Sequence, residues 1–499
     1  MEVQTLPLPL ILVVILPTIY VLLKCINGFS SSRRKPLPPG PKGWPIVGSL
    51  PHIGKLPHIS MAKFSQIYGP FISVKLGSRV VVVASSPATA TEILKTHDRL
   101  FATRLVPDAN KNEGVDLNRM GLLFAPECTD SWKVLRALCR TELLSVRAVE
   151  SQAGLREKKV GEMVKYLERR EGSVVNIGEL VFAIVYNILG NVIFSRDLID
   201  LEGEGVSGGL IKSLISQAVH LIATPNVSDL YPGLASLDLQ GLRRKVSKCY
   251  KEMCTVWEGL VEERRKTLAM GGASEREDFL DVFLANGFDK NQINWLTTEL
   301  FVAGSDTTTV TVEWAMAELL KNREVMRKVC EEIESELRNK PFSESHVSQL
   351  PYLNACIKET LRMHPAAPFL LPRQALETWE VMGYTIPKGA QVLVNVWAIA
   401  RDPSMWDDPL SFKPERFLDS NVDYKGHHYE FLPFGSGRRT CVGIPMASKQ
   451  VALILASLLH YFDWSLPNGG DPTELDVTEK FGIVLQKEKP LLFVPTRKP

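Results

Sequence analysis

Hydrophobic and polar positions alternate with a helical period over most of the chain. Leu353, Cys356, Ile357 and Leu361 lie on one face of a predicted helix. A second apolar helix is predicted to begin near Pro445. The pattern therefore predicts a mainly α fold with minor β-sheets.

Two groups of short strands interrupt this helical pattern. They are bounded by glycine and proline, and their residues are rich in β-branched and aromatic side chains. The first group is a hairpin around Gly77-Ser78. The predicted strands are Phe71 to Leu76, Arg79 to Val83, Trp379 to Met382, Tyr384 to Ile386 and Gln391 to Val396.

The N-terminus carries an uncharged apolar run from Leu6 to Leu23. As a helix it would rise roughly 27 Å, close to the hydrocarbon thickness of a bilayer. A cleaved secretory signal is the alternative, but Glu2 precedes the run and basic residues follow it. We therefore expect residues 1–24 to be a membrane anchor with the rest of the chain cytosolic.

Repeated prolines follow the anchor between Pro36 and Pro45. Proline fixes φ and disfavours helix, so this stretch is predicted to be extended and stiff. We interpret residues 25–45 as a basic, proline-rich hinge; a docking peptide for a proline-binding module is the alternative. Residues 46–499 contain no repeat or second linker, which predicts one catalytic domain.

Composition narrows the classes of function. The chain has 499 residues, 45% of them hydrophobic, and a formal net charge of +2. This balance excludes a nucleic-acid binder that depends on bulk charge. The eight cysteines form no CxxC pair, so a disulfide scaffold or zinc ribbon is not expected.

Candidate chemistry concentrates in the segment from Phe434 to Gly443, where three glycines surround Cys441. Such a segment predicts a tight loop that brings backbone amides close to the sulfur, just before a helix N-terminus. Both features would lower the pKa of the thiol. A buried structural cysteine in a glycine-rich turn is the alternative, and the loop alone does not decide between them.

The order Phe-x-x-Gly-x-Arg-x-Cys-x-Gly at Phe434 to Gly443 resembles the haem-binding loop of the cytochrome P450 family. Three further motifs agree in order: Ala303 to Thr308, Glu359 to Arg362 and Pro414 to Phe417. The resemblance implies the cytochrome P450 fold and a haem b cofactor. It also implies a monooxygenase that receives electrons from NADPH through a separate NADPH-cytochrome P450 reductase.

The same resemblance implies a role for each motif. Cys441 is implied to be the axial thiolate ligand of the haem iron. Glu359 and Arg362 are three residues apart on a helix that must end before Pro365, so they share one face. With Arg416 they are implied to form a buried ion-pair network; an isolated surface salt bridge is the alternative.

The third motif lies in a predicted helix from about Asn291 to Leu320. We expect Gly304 to clear space above the porphyrin. The hydroxyl of Thr307 can bond the Ala303 carbonyl one turn earlier, which would bend the helix and open a groove for water. Asp306 and Thr307 are implied to deliver protons to dioxygen; ordinary threonine back-bonding in a core helix is the alternative.

Haem carries two propionates that need cationic or hydrogen-bonding partners. By family position the cofactor-binding candidates comprise Cys441, two loop residues and four residues for the propionates. They are Phe434 and Gly437 in the loop, together with Trp132, Arg136, Arg373 and Arg439. Metal ligation is assigned to Cys441 alone.

One position departs from the pattern of the plant members of this family. Val442 follows the cysteine where these members usually carry proline. Its backbone N–H is therefore available, and we expect it to hydrogen-bond the region of the sulfur.

Over its whole length the amino-acid sequence resembles the plant microsomal branch of this family. It is most similar to the N-methylcoclaurine 3'-hydroxylase group. The resemblance implies a small lipophilic plant metabolite, an alkaloid, as substrate. Hydroxylation, oxidative rearrangement and phenol coupling all stay open. The resemblance also implies residence in the endoplasmic reticulum membrane as a single-pass protein, and no nucleic-acid partner.

Three alternatives to alkaloid oxidation remain at this stage. They are a terpenoid hydroxylase, a reductase-independent haem isomerase or dehydratase of the same fold, and a non-catalytic haem protein. Apolar stretches that line the pocket by family position set the expected substrate chemistry. They are Pro107 to Phe124, Leu300 to Ala303, Ala366 to Leu371 and Phe481 to Val484.

Overall fold

The computed structural model describes residues 35–111, 114–201, 210–270, 278–337 and 342–498. The predicted anchor, residues 1–24, and the first part of the predicted hinge lie outside these residues. The described chain is mainly α-helical, with four small sheets, as the hydrophobic pattern predicts.

The α-helices are α1 Pro57–Tyr68, α2 Pro87–Thr91, α3 Asp98–Phe101, α4 Leu117–Met120, α5 Asp130–Leu138, α6 Val146–Ser151, α7 Ala153–Glu168, α8 Ile177–Phe194, α9 Leu210–Ala223, α10 Val227–Leu230, α11 Leu242–Ala269, α12 Phe279–Ala285, α13 Lys290–Lys321, α14 Arg323–Leu337, α15 Pro351–Met363, α16 Val396–Ile399 and α17 Ile444–Tyr461. The strands are β1 Phe71–Leu76, β2 Arg79–Ala84, β3 Thr103–Arg104, β4 Val175–Asn176, β5 Arg373–Gln374, β6 Trp379–Val381, β7 Tyr384–Ile386, β8 Gln391–Val394, β9 Phe462–Ser465, β10 Glu479–Lys480, β11 Gln486–Lys487 and β12 Leu492–Arg497.

Helices α8, α13 and α17 form the centre of the main hydrophobic core. Helix α13 packs against α8, α15 and α17, and most residues of α8 and α17 are buried. By length and composition α8 could cross a membrane, but 83% of its apolar window is buried inside the protein. Its apolar character therefore reflects its place in the core.

The largest sheet has five strands in the order β1-β2-β8-β5-β3. The predicted hairpin is confirmed, with Phe71 paired to Ala84 and Leu76 to Arg79. Strand β8 lies parallel to β2, while β5 and β3 continue the sheet in antiparallel pairing. This arrangement places Arg104 directly opposite Arg373 at one edge of the sheet.

The strand predicted from Gln391 to Val396 is two residues too long. Strand β8 ends at Val394, and the Asn395 side chain accepts a hydrogen bond from the Ala398 N–H at 3.1 Å. Asparagine in this position caps helix α16 and so ends the strand.

The proline-rich segment is extended, as expected, but it is attached to the body of the protein. The carbonyl oxygens of Pro36 and Pro39 accept N–H groups of Thr385 and Ser73, both at 2.9 Å. The Ser73 hydroxyl also donates to the Pro38 carbonyl at 2.6 Å. From Pro36 onward the segment is therefore held against strands β7 and β1.

Candidate functional site

The loop that carries Cys441 is a tight turn held by glycine. Gly435 and Gly437 have φ values of +69° and +71°, a backbone region that side chains disfavour. A Cβ atom on Gly437 would also overlap the carbonyl oxygen of Leu94. The Cys441 N–H donates to the Phe434 carbonyl at 3.0 Å, so the loop closes immediately before α17.

Backbone amides approach the sulfur of Cys441 as predicted, but from different residues. The Gly443 N–H donates to Sγ at 3.3 Å, and the Ile444 N–H also lowers the pKa of the thiol. We expected the Val442 N–H to bond the region of the sulfur, but among the described contacts the amides of Gly443 and Ile444 do so. They belong to the first turn of α17, where N–H groups are not used within the helix.

The pKa of the Cys441 thiol is nevertheless raised in the protein alone. Desolvation by the protein atoms packed around the sulfur has the largest effect on the pKa and outweighs the two amides and the Arg136 guanidinium, which lower it. The side chain is still exposed. An accessible sulfur surrounded by amides and a cation has the donor chemistry of a thiolate metal ligand, and a bound metal ion would supply the missing stabilisation of the thiolate.

The predicted propionate partners converge on this loop. Arg136 donates to the Thr440 carbonyl at 2.6 Å, and Arg373 to the Phe101 carbonyl at 3.1 Å. Arg439 donates to the Ala125 carbonyl at 2.7 Å, and its guanidinium lies 4.5 Å from the centre of the Trp132 ring. The structure therefore gathers Trp132 and these three arginines around one loop.

A fourth arginine, Arg104, belongs to this cluster and was missed from the sequence. Burial, followed by the neighbouring guanidinium groups of Arg373 and Arg439, lowers its pKa. Burial likewise lowers the pKa of Arg373 to about 10. The Nε atoms of both arginines are buried without a hydrogen-bond partner in the described structure.

Few carboxylates lie beside these four arginines: the charges of Glu299 and Asp98 both act on Arg439. Among the ion pairs of the described residues, only Asp98 pairs with one of them, at 3.6 Å from Arg373. Buried cations normally require a compensating anion. The cluster therefore fits the two carboxylates of haem, at the side of a loop that presents a cysteine sulfur.

Glu359, Arg362 and Arg416 form the buried network that the motifs imply. The Arg362 guanidinium binds the Glu359 carboxylate at 2.7 and 2.8 Å, and Arg416 Nε binds it at 3.1 Å. Both Glu359 and Arg362 are fully buried. Arg362 also donates to the Ala400 carbonyl at 2.6 Å, so the network ties α15 to the segment before the cysteine loop.

Thr307 makes the predicted bond within α13. Its hydroxyl donates to the Ala303 carbonyl at 2.7 Å. Ser305, Thr309 and Thr311 bond the preceding turn in the same way, so this bond alone does not distinguish Thr307. Helix α13 also runs without interruption from Lys290 to Lys321 through this region.

Gly304 has a different role from the one expected. A Cβ atom on Gly304 would lie 3.1 Å from Cδ1 of Leu189 in α8. The missing side chain therefore permits the close approach of α8 and α13. Gly304 faces the neighbouring core helix, and the idea that it clears space above a porphyrin is wrong.

Asp306 faces α8 and α9. Burial raises the pKa of its carboxyl to about 6, against a weaker opposing effect of Lys212. Burial, followed by the charge of Asp306, raises the pKa of Tyr186, whose buried hydroxyl has no partner in the described structure. The structure therefore places Asp306 beside the α8 and α9 side of the helix, while Thr307 shares a face with Ala303 one turn earlier.

We expect Asp306→Asn to be more stable than the wild type above about pH 6, where the buried wild-type carboxyl is ionised, and not at lower pH, where that carboxyl is neutral. The folded pKa of about 6 lies above the unfolded value of 3.8, so the wild type loses stability as pH rises through this window. The asparagine variant lacks this loss. Near neutral pH it should be more stable by about 1–2 kcal/mol after allowance for screening.

Urea unfolding of both proteins checks this expectation. The difference should be small near pH 4 and should grow to its full size above pH 6, the window set by the folded pKa. An equal difference at both ends of the range would contradict the assignment of a raised pKa to Asp306.

Comparisons with known proteins agree with this geometry. Residues 38–494 match the family model described as Cytochrome P450. The chain is 48% identical to probable (S)-N-methylcoclaurine 3'-hydroxylase isozyme 2 of Coptis japonica, over 93% of this chain and 94% of the relative. It is 45% identical to corytuberine synthase of Coptis japonica, over 93% and 94% of the two chains. It is 40% identical to geraniol 8-hydroxylase of Catharanthus roseus, over 97% and 99%.

A match of this extent, on a fold whose cysteine loop and arginine cluster fit haem, settles the family and its type of chemistry. The family uses haem together with NADPH supplied through a reductase. The chain belongs to the cytochrome P450 family and is a monooxygenase, an oxidoreductase.

Proposed function

We propose that this protein hydroxylates a small lipophilic alkaloid in a reaction that consumes O₂ and NADPH. One oxygen atom enters a C–H bond, and the other leaves as water with two protons and two electrons. The observation that carries the proposal is the 48% identity to the probable N-methylcoclaurine hydroxylase over nearly the whole chain. Oxidative rearrangement or phenol coupling of the same substrate class would start from the same site.

The predicted pocket stretches support a lipophilic substrate. The stretch after α15 packs against the C-terminal stretch: the Leu485 N–H donates to the Ala366 carbonyl at 2.8 Å, and the Phe369 and Phe481 rings lie 6.0 Å apart. Phe124 packs in an apolar cluster that includes Trp295 of α13. Three of the four predicted pocket stretches thus contribute an aromatic side chain, Phe124, Phe369 or Phe481, to an apolar contact. Apolar and aromatic side chains are expected around a site for an apolar ligand.

Within this proposal each candidate residue has a physical task. Cys441 would hold the haem iron through its thiolate. Arg136, Arg373 and Arg439, joined by Arg104, would hold the propionates, together with Trp132 once its indole N–H leaves the Leu122 carbonyl. Phe434 and Gly437 shape the loop. Haem, when bound, supplies the oxygen-activating chemistry.

Protons would reach the site through α13. Asp306, with a pKa of about 6, can exchange a proton near neutral pH. The Thr307 hydroxyl, on the neighbouring face, can donate a hydrogen bond towards the reacting oxygen when it leaves the Ala303 carbonyl.

We expect Thr307→Ala to keep haem but to lose coupling. Without the hydroxyl, reducing equivalents should divert to hydrogen peroxide, and product formed per NADPH should fall at least about tenfold. General acid catalysis typically contributes roughly 10²–10⁴-fold to a rate, so a loss of this size is readily supplied by one proton donor. Thr311→Ala is the matched control, since Thr311 makes the same 2.8 Å bond one turn further along α13. Unchanged coupling in Thr307→Ala would contradict the proton role.

The substrate proposal can be tested directly. Microsomes that contain this protein and a plant reductase are incubated with (S)-N-methylcoclaurine and other benzylisoquinoline and tropane alkaloids, with and without NADPH. A product heavier by one oxygen indicates hydroxylation, and a loss of two hydrogens indicates coupling. Absence of any NADPH-dependent product across the panel would refute the alkaloid proposal.

A terpenoid alcohol is the second candidate substrate. The 40% identity to geraniol 8-hydroxylase over 97% of the chain favours it. Geraniol is therefore included in the same incubations. Turnover of geraniol without turnover of any alkaloid would favour this candidate.

The chain organisation completes the proposal. Residues 1–24 would anchor the chain in the endoplasmic reticulum membrane and residues 46–499 form the catalytic domain. Residues 25–45 form the basic, proline-rich hinge, whose part from Pro36 onward is attached to the body of the protein. Exposed apolar side chains support a membrane-facing surface: Trp44 and Ile46 are 62% and 60% exposed, as are Leu237 and Leu239 at 62% and 60%. The Tyr231 hydroxyl donates to the Ile46 carbonyl at 3.3 Å, which joins the two segments. NADPH-cytochrome P450 reductase is the proposed partner on the cytosolic side.

A further inference from the structure

The backbone amides of three consecutive loop residues donate to one carboxylate on helix α13. The Leu122 and Leu123 N–H groups donate to Glu299 Oε2 at 2.5 and 2.9 Å, and the Phe124 N–H donates to Oε1 at 3.0 Å. Residues 121–125, which we call the α4–α5 loop, have no regular secondary structure. Their amides are therefore satisfied by this side chain and not by a helix or sheet.

Glu299 is buried, with 5% of its surface exposed. Burial raises the pKa of its carboxyl, and the three backbone amides oppose this effect because they stabilise the ionised form. Gly121 starts the loop where a side chain would not fit, since a Cβ atom there would lie 2.9 Å from the Leu117 carbonyl and 3.2 Å from the Ala125 nitrogen. Sequence and geometry thus both fit a carboxylate seated on three amides.

The opposite side of the same loop is bound to the proposed cofactor residues. The Leu122 carbonyl accepts the Trp132 indole N–H at 3.0 Å and an Arg439 N–H at 3.4 Å. The Ala125 carbonyl accepts Arg439 Nη2 at 2.7 Å. The loop therefore connects α13 to the arginine cluster, and Glu299 is its attachment on the α13 side.

Glu299 also shares a helix face with the proposed chemistry. It lies one turn before Ala303 and two turns before Thr307, roughly 12 Å along the axis from the latter. The side chains of the loop are apolar, and Leu123 and Phe124 belong to or pack on the cluster that contains Trp295. A shift of the loop would therefore alter the apolar surface next to the functional face of α13.

We infer that Glu299 is a positioning residue that determines which bulky ligands the site accepts, because it fixes the α4–α5 loop against α13. The inference rests on the pocket role proposed above for residues up to Phe124. It does not depend on the identity of the substrate.

Hydrogen–deuterium exchange of the haem-loaded protein tests the attachment. In Glu299→Gln, one carboxylate oxygen becomes an NH₂ group that faces backbone donors. Amides 122–124 should then exchange at least about tenfold faster. Glu313→Gln is the matched control, since Glu313 is a buried carboxylate on the same helix that accepts one amide, Leu491 N–H, at 3.1 Å. Equal exchange of amides 122–124 in wild type and Glu299→Gln would overturn the inference.

Two nitrogen ligands test the effect on selectivity without any substrate. Difference spectra should show that Glu299→Gln binds 4-phenylimidazole at least about fivefold more weakly, while imidazole affinity stays within about twofold. Weakening of both ligands to the same degree would indicate general damage and would overturn the inference. Glu299→Asp retains the charge and should give intermediate values, so it serves as the second variant if the glutamine protein does not fold.

The outcome is separable from the substrate proposal. If no alkaloid is oxidised but bulky-ligand affinity and amide exchange change as stated, the role of Glu299 stands and the substrate assignment fails. If alkaloids are oxidised but neither amide exchange nor bulky-ligand affinity changes in Glu299→Gln, the substrate assignment stands and the role of Glu299 fails.

Discussion

Replacement of Cys441 by alanine is expected to abolish oxidation while the polypeptide still folds. The side chain is exposed, and its described polar contacts are with the backbone amides of Gly443 and Ile444. Its removal therefore sacrifices little packing, but it removes the only thiolate that the cysteine loop offers to iron. NADPH-dependent product formation should fall below detection, and the far-ultraviolet circular dichroism should match that of the wild type.

Cys330→Ala provides the matched control. Cys330 lies on α14, and its thiol is 3.8 Å from the Leu459 carbonyl of α17, the helix that follows the cysteine loop. This variant should retain haem and activity. Turnover by Cys441→Ala above the background of microsomes that lack this protein would contradict the assignment of Cys441 as ligand.

Glu359→Gln is expected to give protein that is poorly folded and free of haem. The carboxylate accepts N–H groups from Arg362, Arg416 and the Lys413 backbone, the last at 2.9 Å. Loss of its charge leaves two guanidinium groups, one fully buried, without a counter-ion among the residues that the structure describes. Removal of one partner from a buried ion pair costs about 3–5 kcal/mol, a large share of the stability of a typical domain.

The yield of soluble protein and the ratio of haem to protein absorbance measure this effect. Glu324→Gln is the control, because Glu324 forms an exposed pair with Arg327 at 2.6 Å, and solvent screening leaves such a pair little effect on stability. A soluble Glu359→Gln protein with full haem content would refute the structural role of the network.

Sequence alone predicted the elements whose periodicity or turn chemistry is strong. The β1–β2 hairpin and helix α13, which spans Lys290–Lys321 against a prediction of about Asn291 to Leu320, are examples. The ion-pair network followed from spacing on α15 and from the family resemblance. These features are local, or they repeat a pattern that the family shares.

Features that depend on tertiary contact were missed or misjudged. Gly304 faces Leu189 of α8, a contact that helical spacing on α13 cannot reveal. Arg104 joins the cluster through pairing with Arg373, a residue 269 positions away whose pairing no short motif records. The one local feature of the sequence that could have indicated a buried arginine is that Arg104 lies between the apolar pairs Phe101-Ala102 and Leu105-Val106.

Glu299 escaped notice for a similar reason. Its partners are backbone amides of residues 122–124, and backbone groups leave no mark in the side-chain pattern. The position of Gly121 was the only sequence hint, since a glycine before three apolar residues suits a loop whose amides must all face one acceptor.

The bond between Cys441 and haem iron is the centre of the account, and one spectrum tests it most directly. The purified protein, loaded with haem and reduced under carbon monoxide, should show the red-shifted Soret band of thiolate-ligated haem, and Cys441→Ala should not. A wild-type band at the position typical of nitrogen-ligated haem, or no haem band at all, would contradict the account.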